Sequence, residues 1–256
     1  MVRFDRKRGA TRLVDLHQSG SAKVLLPRTP HTTPEVVFLN TSGGLTSGDQ
    51  LSLTLSLGDE TRLLATTQTA ERAYHAATGP AQVTVSASVG AGARLDWMPQ
   101  ETILFQSCNL IRRTTIDLAP GAECLLAETV VLGRHAMGET LTHAHLTDHR
   151  LIRRAGRPVW AESLHLTPDT LGLDGPALLN GARAFAVVCL IAQGAEDAVA
   201  PLRAALPDLA VSGWDGRCIA RLTAPDGWPL KQTLAQILHI LTGRPLPRVW
   251  ATGAPS

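Results

Sequence analysis

The sequence is poor in aromatic residues, in lysine and in motifs that bind cofactors. Its 256 residues include four Phe, five Trp and one Tyr, and 3 Lys stand against 21 Arg. The 24 basic and 22 acidic residues are interspersed, so the formal charge of +2 creates no broad positive field and no basic tail. Nucleic acid is therefore not expected as a partner. The low aromatic content also argues against a sugar-binding cleft.

Long apolar runs and cysteine motifs are missing as well. No stretch of about 18 apolar residues predicts a membrane span, and a polar stretch at residues 11–21 stands where a signal peptide would need an apolar segment. The cysteines form no C-x-x-C pair, which excludes a zinc ribbon or a thioredoxin-type motif. We expect a cytoplasmic protein that has no membrane partner and keeps its thiols reduced and mostly buried.

Strict alternation of apolar and polar residues is the clearest structural signal. Residues 51–57 and 83–89 alternate with the period of a half-buried strand, and a third, shorter copy occupies residues 116–118. Each is followed by a glycine-bearing turn and a second apolar run. We call the last residue of each alternating segment the pivot of its strand-turn-strand unit. The pivots are Leu57, Val89 and Leu118, spaced by 32 and 29 residues. Such a spacing is typical of stacked β architectures.

The sequence predicts a β-rich body at residues 1–168 and a smaller α+β part at residues 169–256, packed on the body or continuous with it. Further strands are predicted at residues 22–26, 35–39, 102–105, 141–152, 159–166 and 185–191. Helices are predicted at residues 195–206 and from Pro229 to a closing Gly243. The expected fold class is mainly β, a layered and loosely repetitive sheet body with about two C-terminal helices.

The segment GGLTSGD at residues 43–49 has the glycine spacing of a phosphate-binding loop. Asp49 stands where such a loop needs a Lys, and a carboxylate there repels phosphate. We therefore expect no nucleotide hydrolysis by this chain. The glycines are expected to let the backbone turn with positive φ and to present Asp49 at a bend.

Histidines and paired acids are the remaining groups with chemical potential. His143 and His145 lie on one face of the predicted strand, as does His149 if the strand continues. Imidazole suits nickel, copper, zinc and iron, yet a solvated polar face explains the same pattern. Glu101 and Glu128 could serve a glycoside hydrolase, but any β-rich chain with 22 acids allows such a choice.

Five ordered segments between residues 20 and 166 resemble the urease accessory protein UreD family, called UreH in some bacteria. They are residues 21–28, residues 43–49, residues 66–68 with 71–74, residues 95–105, and Glu128 with residues 133–139. Ser47 stands where the family usually has Gly, and His75 stands where Arg is common. The chain beyond Pro168 matches only in general character.

The resemblance implies a non-enzymatic role in the maturation of urease, whose active site holds nickel. The implied partners are the scaffold UreF, the GTPase UreG and apo-urease, with UreE as a candidate nickel donor. GTP hydrolysis is then expected from UreG. No tightly bound cofactor is expected, and nickel(II) would bind only transiently. Contact with UreF is expected from the C-terminal part.

We hypothesise that acids inside the family-like segments line or gate a weakly coordinating nickel path, because conduction requires an ion to leave as well as enter. The candidate residues are Asp49, Glu101, Glu128 and Glu139, with His135 and His143 as auxiliary ligands. An alternative interpretation is that Glu101, Glu128 and Glu139 hold the β layers together by pairing with arginines such as Arg72, Arg112 and Arg134. Two further alternatives are a carboxylate-dependent hydrolase using Glu101 and Glu128, and a stand-alone protein that stores or senses nickel.

Overall fold

The computed structural model describes residues 1–134, 137–173, 175 and 178–250. The chain is 49% strand and 14% helix, arranged as layered, β-solenoid-like sheets with the helices near the C-terminus, which confirms the predicted fold class. The strands are β1 Val2–Lys7, β2 Ala10–Leu16, β3 Ala22–Leu25, β4 Glu35–Asn40, β5 Gln50–Leu57, β6 Arg62–Thr67, β7 Glu71–Ala73, β8 Ala81–Val89, β9 Arg94–Trp97, β10 Thr102–Leu104, β11 Cys108–Leu118, β12 Glu123–Leu132, β13 Ala144–Arg154, β14 Arg157–Leu166, β15 Ala184–Ile191, β16 Ala210–Trp214 and β17 Arg217–Ala224. The α-helices are α1 Pro168–Leu171, α2 Val199–Ala205 and α3 Gly227–Thr242.

The strands form two sheets. Sheet A has seven strands in the order β14-β13-β11-β8-β5-β1-β2. Sheet B has ten, with β16-β17-β15-β12-β9-β6-β4-β3 in a row and β10 and β7 attached beside β12. Parallel neighbours dominate the centre of both sheets.

The predicted strand-turn-strand units each cross from sheet A to sheet B. Their first strands, β5, β8 and β11, pair side by side and parallel, and so do their second strands, β6, β9 and β12. The predicted pivots are direct partners, because Leu57 lies opposite Val89 and Val89 opposite Leu118. The repeat in the sequence is therefore a structural repeat.

Two apolar layers hold this stack together. The first lies between the sheets, where β5 buries its four leucines while its Ser and Thr residues face outward. Burial of each such side chain contributes roughly 1.5–3 kcal/mol. The second lies on the other face of sheet B, where α3 buries Leu230, Leu234, Ile237 and Leu238. All four cysteines are free and buried, as expected.

The C-terminal part extends sheet B. Strand β15 pairs with β12, and β17 and β16 continue the sheet outward. The division at residue 168 stays a prediction. In the described part of the chain, no helix combines the length and the apolar character that a membrane span requires.

The predicted boundaries were wrong at several elements. The hairpin of β1 and β2 was missed, as was that of β16 and β17. The helix predicted at residues 195–206 begins as a 3-10 turn at Ala195–Ala198 before α2. Helix α3 begins two residues before Pro229, because the Asp226 carboxylate accepts the Gly227 N–H and caps it, while Gly243 closes it at φ 61° as predicted.

Candidate functional site

Several of the family-like segments meet at one end of the β stack. The Thr46 hydroxyl donates to the His75 carbonyl at 2.7 Å, and His75 forms a β-bridge with Cys108. The neighbouring Ser107 N–H donates to the His143 carbonyl at 2.6 Å. Loops that are far apart in the sequence therefore form one continuous surface, which we call the strand-end surface (residues 43–49, 73–76, 105–108 and 137–143).

Asp49 lies at this surface and stabilises its own turn. Its carboxylate accepts the Thr46 N–H at 2.9 Å. Gly43 and Gly48 adopt φ values of 80° and 75°, which confirms the expected glycine turn and its acid at the bend. Asp49 is thus a turn-capping residue in this conformation.

Glu139 and His143 lie close together around Gln106. The Glu139 carboxylate accepts the Arg134 N–H at 2.9 Å and the Gln106 N–H at 3.2 Å. The Gln106 side-chain oxygen in turn accepts the N–H groups of Thr142 and His143. Burial raises the pKa of Glu139, but the hydrogen bonds from Arg134 and Gln106 outweigh it, so that its pKa lies below the ordinary value. His135 lies outside the described residues.

Glu128 lies between the sheets, not at the strand-end surface. Only 2% of the residue is exposed. Its carboxylate accepts from the Trp97 indole at 3.2 Å, the Thr114 hydroxyl at 2.9 Å and Arg150 Nε at 2.6 Å, and it lies 3.4 Å from Arg112 Nη2. Glu128 lies in the middle of β12, so the sheet itself directs the carboxylate inward.

Asp148 is the second buried carboxylate of this network. Arg112 Nε donates to one of its oxygens at 3.0 Å, and Arg150 donates to the other. Asp148 is fully buried, and both arginines are at least 94% buried. Two guanidinium groups thus balance two carboxylates in the core between the sheets.

The network reaches toward both sides of the molecule. Arg112 Nη1 donates to the Thr102 hydroxyl on β10 at 3.0 Å. At the other side, Arg150 Nη1 lies 3.5 Å from Glu162 on β14, and Glu162 accepts from the exposed Arg221 at 2.9 Å. A continuous chain of polar groups therefore runs from the neighbourhood of β10 to the surface at β17.

The pKa of Glu128 reflects these partners. Burial alone would raise it, but the charges of Arg112 and Arg150 and the hydrogen bonds from Arg150 and Thr114 lower it from 4.5 to about 2. Burial lowers the pKa of Arg112, yet the charges of Asp148 and Glu128 prevail and raise it above its ordinary value. Glu128 and Arg112 are therefore each held in their charged forms.

Glu101 lies on the opposite face of sheet B from Glu128. Its carboxylate is 28% exposed and lies 3.7 Å from Lys231 Nζ on α3. Ile103, two residues further along β10, packs in the layer beneath α3, whereas Thr102 points between the sheets. A hydrolase that needs Glu101 and Glu128 across one substrate is incompatible with this arrangement.

The histidine prediction is partly wrong. Strand β13 begins at Ala144, so His143 precedes the strand and does not share its face. His145 and His149 do share the outer face of β13. Within the described residues, no group of three or more His, Cys, Asp or Glu side chains could hold a metal ion.

The pairing interpretation matches part of this geometry. Glu128 pairs with Arg112 as expected, and Glu139 pairs with Arg134 at 3.0 Å. Arg72 donates to the Gly43 carbonyl instead. The partner of Glu101 is a lysine.

Sequence reasoning missed Asp148, Arg150 and Trp97. A usable signal was present in β13, where Asp148 and Arg150 occupy alternate positions with Ala144, Leu146 and Ile152. Charged residues in phase with apolar ones indicate a buried pair if a partner strand supplies the opposite charge. Arg112 in β11 supplies it, since Arg112 and Asp148 are direct partners in the register.

Comparisons with known proteins agree along nearly the whole chain. The family model described as UreD urease accessory protein matches residues 1–251. A urease accessory protein UreD of Cereibacter sphaeroides is 54% identical over 254 residues, which cover 97% of this chain and 92% of the relative. Proteins of the same name from Paracoccus denitrificans and Rhizobium leguminosarum bv. trifolii are 49% and 42% identical, covering 97% and 94% of this chain and 94% and 90% of the relatives.

Proposed function

Because the chain belongs to the UreD urease accessory protein family, we propose that it is a chaperone subunit that helps nickel reach the metallocentre of urease. Family membership implies a role in urease maturation and not catalysis by this chain. The family match over residues 1–251 is the observation that carries the proposal.

The proposed partners are UreF, UreG and apo-urease in the cytoplasm, with UreE as the nickel donor. GTP hydrolysis is assigned to UreG, because the glycine loop of this chain carries Asp49 in place of the phosphate-binding Lys. Nickel is cargo in this scheme, and the chain needs no resident metal.

The buried polar chain supports a route for the cargo. Glu128 and Asp148 place two carboxylates in the largely apolar space between the sheets, where Thr102, Arg112 and Arg150 surround them. Buried charges are costly unless paired, so their presence points either to a structural pairing or to a function in handling charge. Glu101 and the acids of the strand-end surface would mark the entrances to this route.

The arginines set a condition on such a route. In this conformation both carboxylates of the core are neutralised by Arg112 and Arg150. A cation could bind Glu128 or Asp148 only if a guanidinium moved aside. Binding would then be weak and reversible, which suits an ion in transit.

Glu101 provides the sharpest test, because within the described residues its side chain makes a single polar contact, the 3.7 Å pair with Lys231. Urease would be activated in cells that supply UreE, UreF and UreG together with this chain or a variant. We expect Glu101→Gln to lower urease activity and the nickel content per urease, while the variant stays folded and bound to UreF.

Lys231→Gln is the matched control, since it breaks the same ion pair and leaves the carboxylate in place. If both variants lower activation equally, the contact with α3 and not the acid is what matters. The same assay is applied to Asp49→Asn, Glu128→Gln and Glu139→Gln. The urease activation by each variant is compared with the stability of that variant. Unchanged urease activation in all four acid variants would refute the proposed nickel path.

A nickel storage or sensing protein is the remaining alternative. It would need tight stoichiometric binding by the chain alone, and the described residues contain no group of three ligands for it. A pull-down with UreF, run beside the activation assay, separates the two functions.

A further inference from the structure

Two histidines meet on the outer face of sheet A. His149 on β13 and His165 on β14 have ring centroids 5.5 Å apart, with the ring planes at 75°. In the antiparallel register His149 lies opposite Ser163, and His165 lies opposite Thr147. The two imidazoles are therefore diagonal neighbours on one face of the sheet, within reach of each other.

Each imidazole has a hydroxyl group at its Nδ1 atom. His149 Nδ1 lies 2.8 Å from the Ser163 Oγ, and His165 Nδ1 lies 3.5 Å from the Thr147 Oγ1. A hydroxyl can accept an N–H as well as donate, so both rings can carry their proton on Nδ1. This tautomer leaves the Nε2 lone pairs free for a ligand, the arrangement that metal-binding histidines normally use.

The pair is open to solvent. His165 and Ser163 are exposed and His149 is partly exposed. Strand β14 is the edge of its sheet, so no further strand of the described chain covers the pair on that side. Asp148, the adjacent acid in the sequence, points into the core and is not available here.

We propose that His149 and His165 form an exchangeable two-imidazole site for a first-row transition-metal cation, with water completing the coordination. Nitrogen donors without a carboxylate favour Cu²⁺, Ni²⁺ and Zn²⁺ over Mg²⁺ and Ca²⁺. With two protein ligands, the site is weak and fast to exchange. The site is separate from the interior acids, and its test does not depend on the proposed function.

Titration of the full-length chain with Ni²⁺ and with Cu²⁺ tests the site. Loss of a hydrogen-bonding partner of a metal ligand typically costs 10–100-fold in affinity, and loss of the ligand itself costs at least as much. His149→Ala and His165→Ala should therefore each weaken one binding event by about tenfold or more. Ser163→Ala should weaken it less. His239→Ala, an exposed histidine near the end of α3, is the matched control and should leave the affinity unchanged.

Electron paramagnetic resonance of bound Cu²⁺ gives a second readout, which counts the coordinating imidazoles directly. The wild-type chain should show Cu²⁺ coordinated by two imidazole nitrogens, and each histidine variant should show one fewer. An affinity equal to that of the wild-type chain in both histidine variants, a loss in His239→Ala as large as theirs, or a wild-type spectrum without imidazole coupling would overturn the proposal. Circular dichroism confirms that the variants are folded.

Discussion

Glu128 and its partners form the most tightly constrained group of side chains in the molecule. The carboxylate accepts three hydrogen bonds and lies within 3.4 Å of a second guanidinium. Removal of one member of a buried charged set leaves the others unpaired in a medium of low polarity, which typically costs about 3–5 kcal/mol. An intact network is therefore expected to matter for the stability of the fold.

We expect Glu128→Gln to lower the free energy of unfolding by about 3 kcal/mol or more, because it leaves the two buried guanidinium groups of Arg112 and Arg150 with the single buried counter-charge of Asp148. Urea denaturation measures the change. Glu123→Gln is the matched control, since Glu123 is 31% exposed and makes one ion pair with Arg94 at 3.3 Å. Its loss should cost less than about 1 kcal/mol. Equal effects of the two substitutions would contradict the assigned role of the network.

The pH dependence of stability follows from the same carboxylate. Folding lowers the pKa of Glu128 from 4.5 to about 2. Its contribution to stability is therefore fully present above about pH 4.5 and is lost as the pH falls toward 2. The wild-type chain should lose more stability over this range than Glu128→Gln, which cannot take up that proton. Identical pH profiles for the two chains would disprove the assignment.

The strand-turn-strand unit is the element that could be predicted best from the sequence. The strict alternation in β5 and β8 arises because one face of each strand is buried and the other is exposed to solvent. The glycine turns set the register. The hairpin of β1 and β2 escaped prediction because its outward face is strongly charged and only Val2 and Phe4 are buried in β1. Tertiary pairing with β5, not local pattern, makes it a strand.

The candidate site was less predictable for a related reason. The interior acids are stabilised by arginines on other strands, and Arg112 meets Asp148 across 36 positions of sequence. No local pattern reveals such a pair. The glycine turn at Asp49 could be predicted, because positive φ at Gly43 and Gly48 is a local requirement.

The turns of successive units pack closely enough to exclude a side chain at Gly90. A Cβ there would lie 2.7 Å from the Asp59 backbone nitrogen and 2.7 Å from the Gly58 carbonyl carbon. We expect Gly90→Ala to destabilise the chain by about 1–3 kcal/mol, because backbone atoms cannot move aside as a flexible side chain would.

Gly172→Ala is the control for this substitution. A Cβ at Gly172 would meet its nearest atoms at 3.6 Å, an ordinary contact, and its φ is −79°. Thermal and urea unfolding of both variants provide the measurement. A Gly90→Ala chain as stable as Gly172→Ala would show that the turns do not stack as described.

The C-terminal part of the molecule is fixed to sheet B, and this limits how a partner can be accommodated there. The buried face of α3 is already occupied, and the buried Trp250 donates to the Met98 carbonyl at 3.0 Å. Deletion of residues 227–256 would therefore expose the core and would not isolate a binding surface. The proposed contact with UreF would have to use side chains that are exposed, and our candidate is Trp228 at the start of α3, which is 52% exposed.

We expect Trp228→Ser to reduce co-purification with UreF while leaving stability unchanged, since large exposed aromatic residues often anchor interfaces. Val14→Thr is the control, because Val14 is 41% exposed but lies on the hairpin of β1 and β2. A pull-down from co-expressing cells compares them. Full retention of UreF by Trp228→Ser would place the contact elsewhere.

We propose that this chain is needed to load urease with nickel. The most direct measurement is the nickel content per urease, with urease activity, after co-expression with UreE, UreF and UreG in the presence and absence of this chain. We predict nickel-loaded, active urease only when the chain is present. Equal nickel content and activity without the chain would contradict this role.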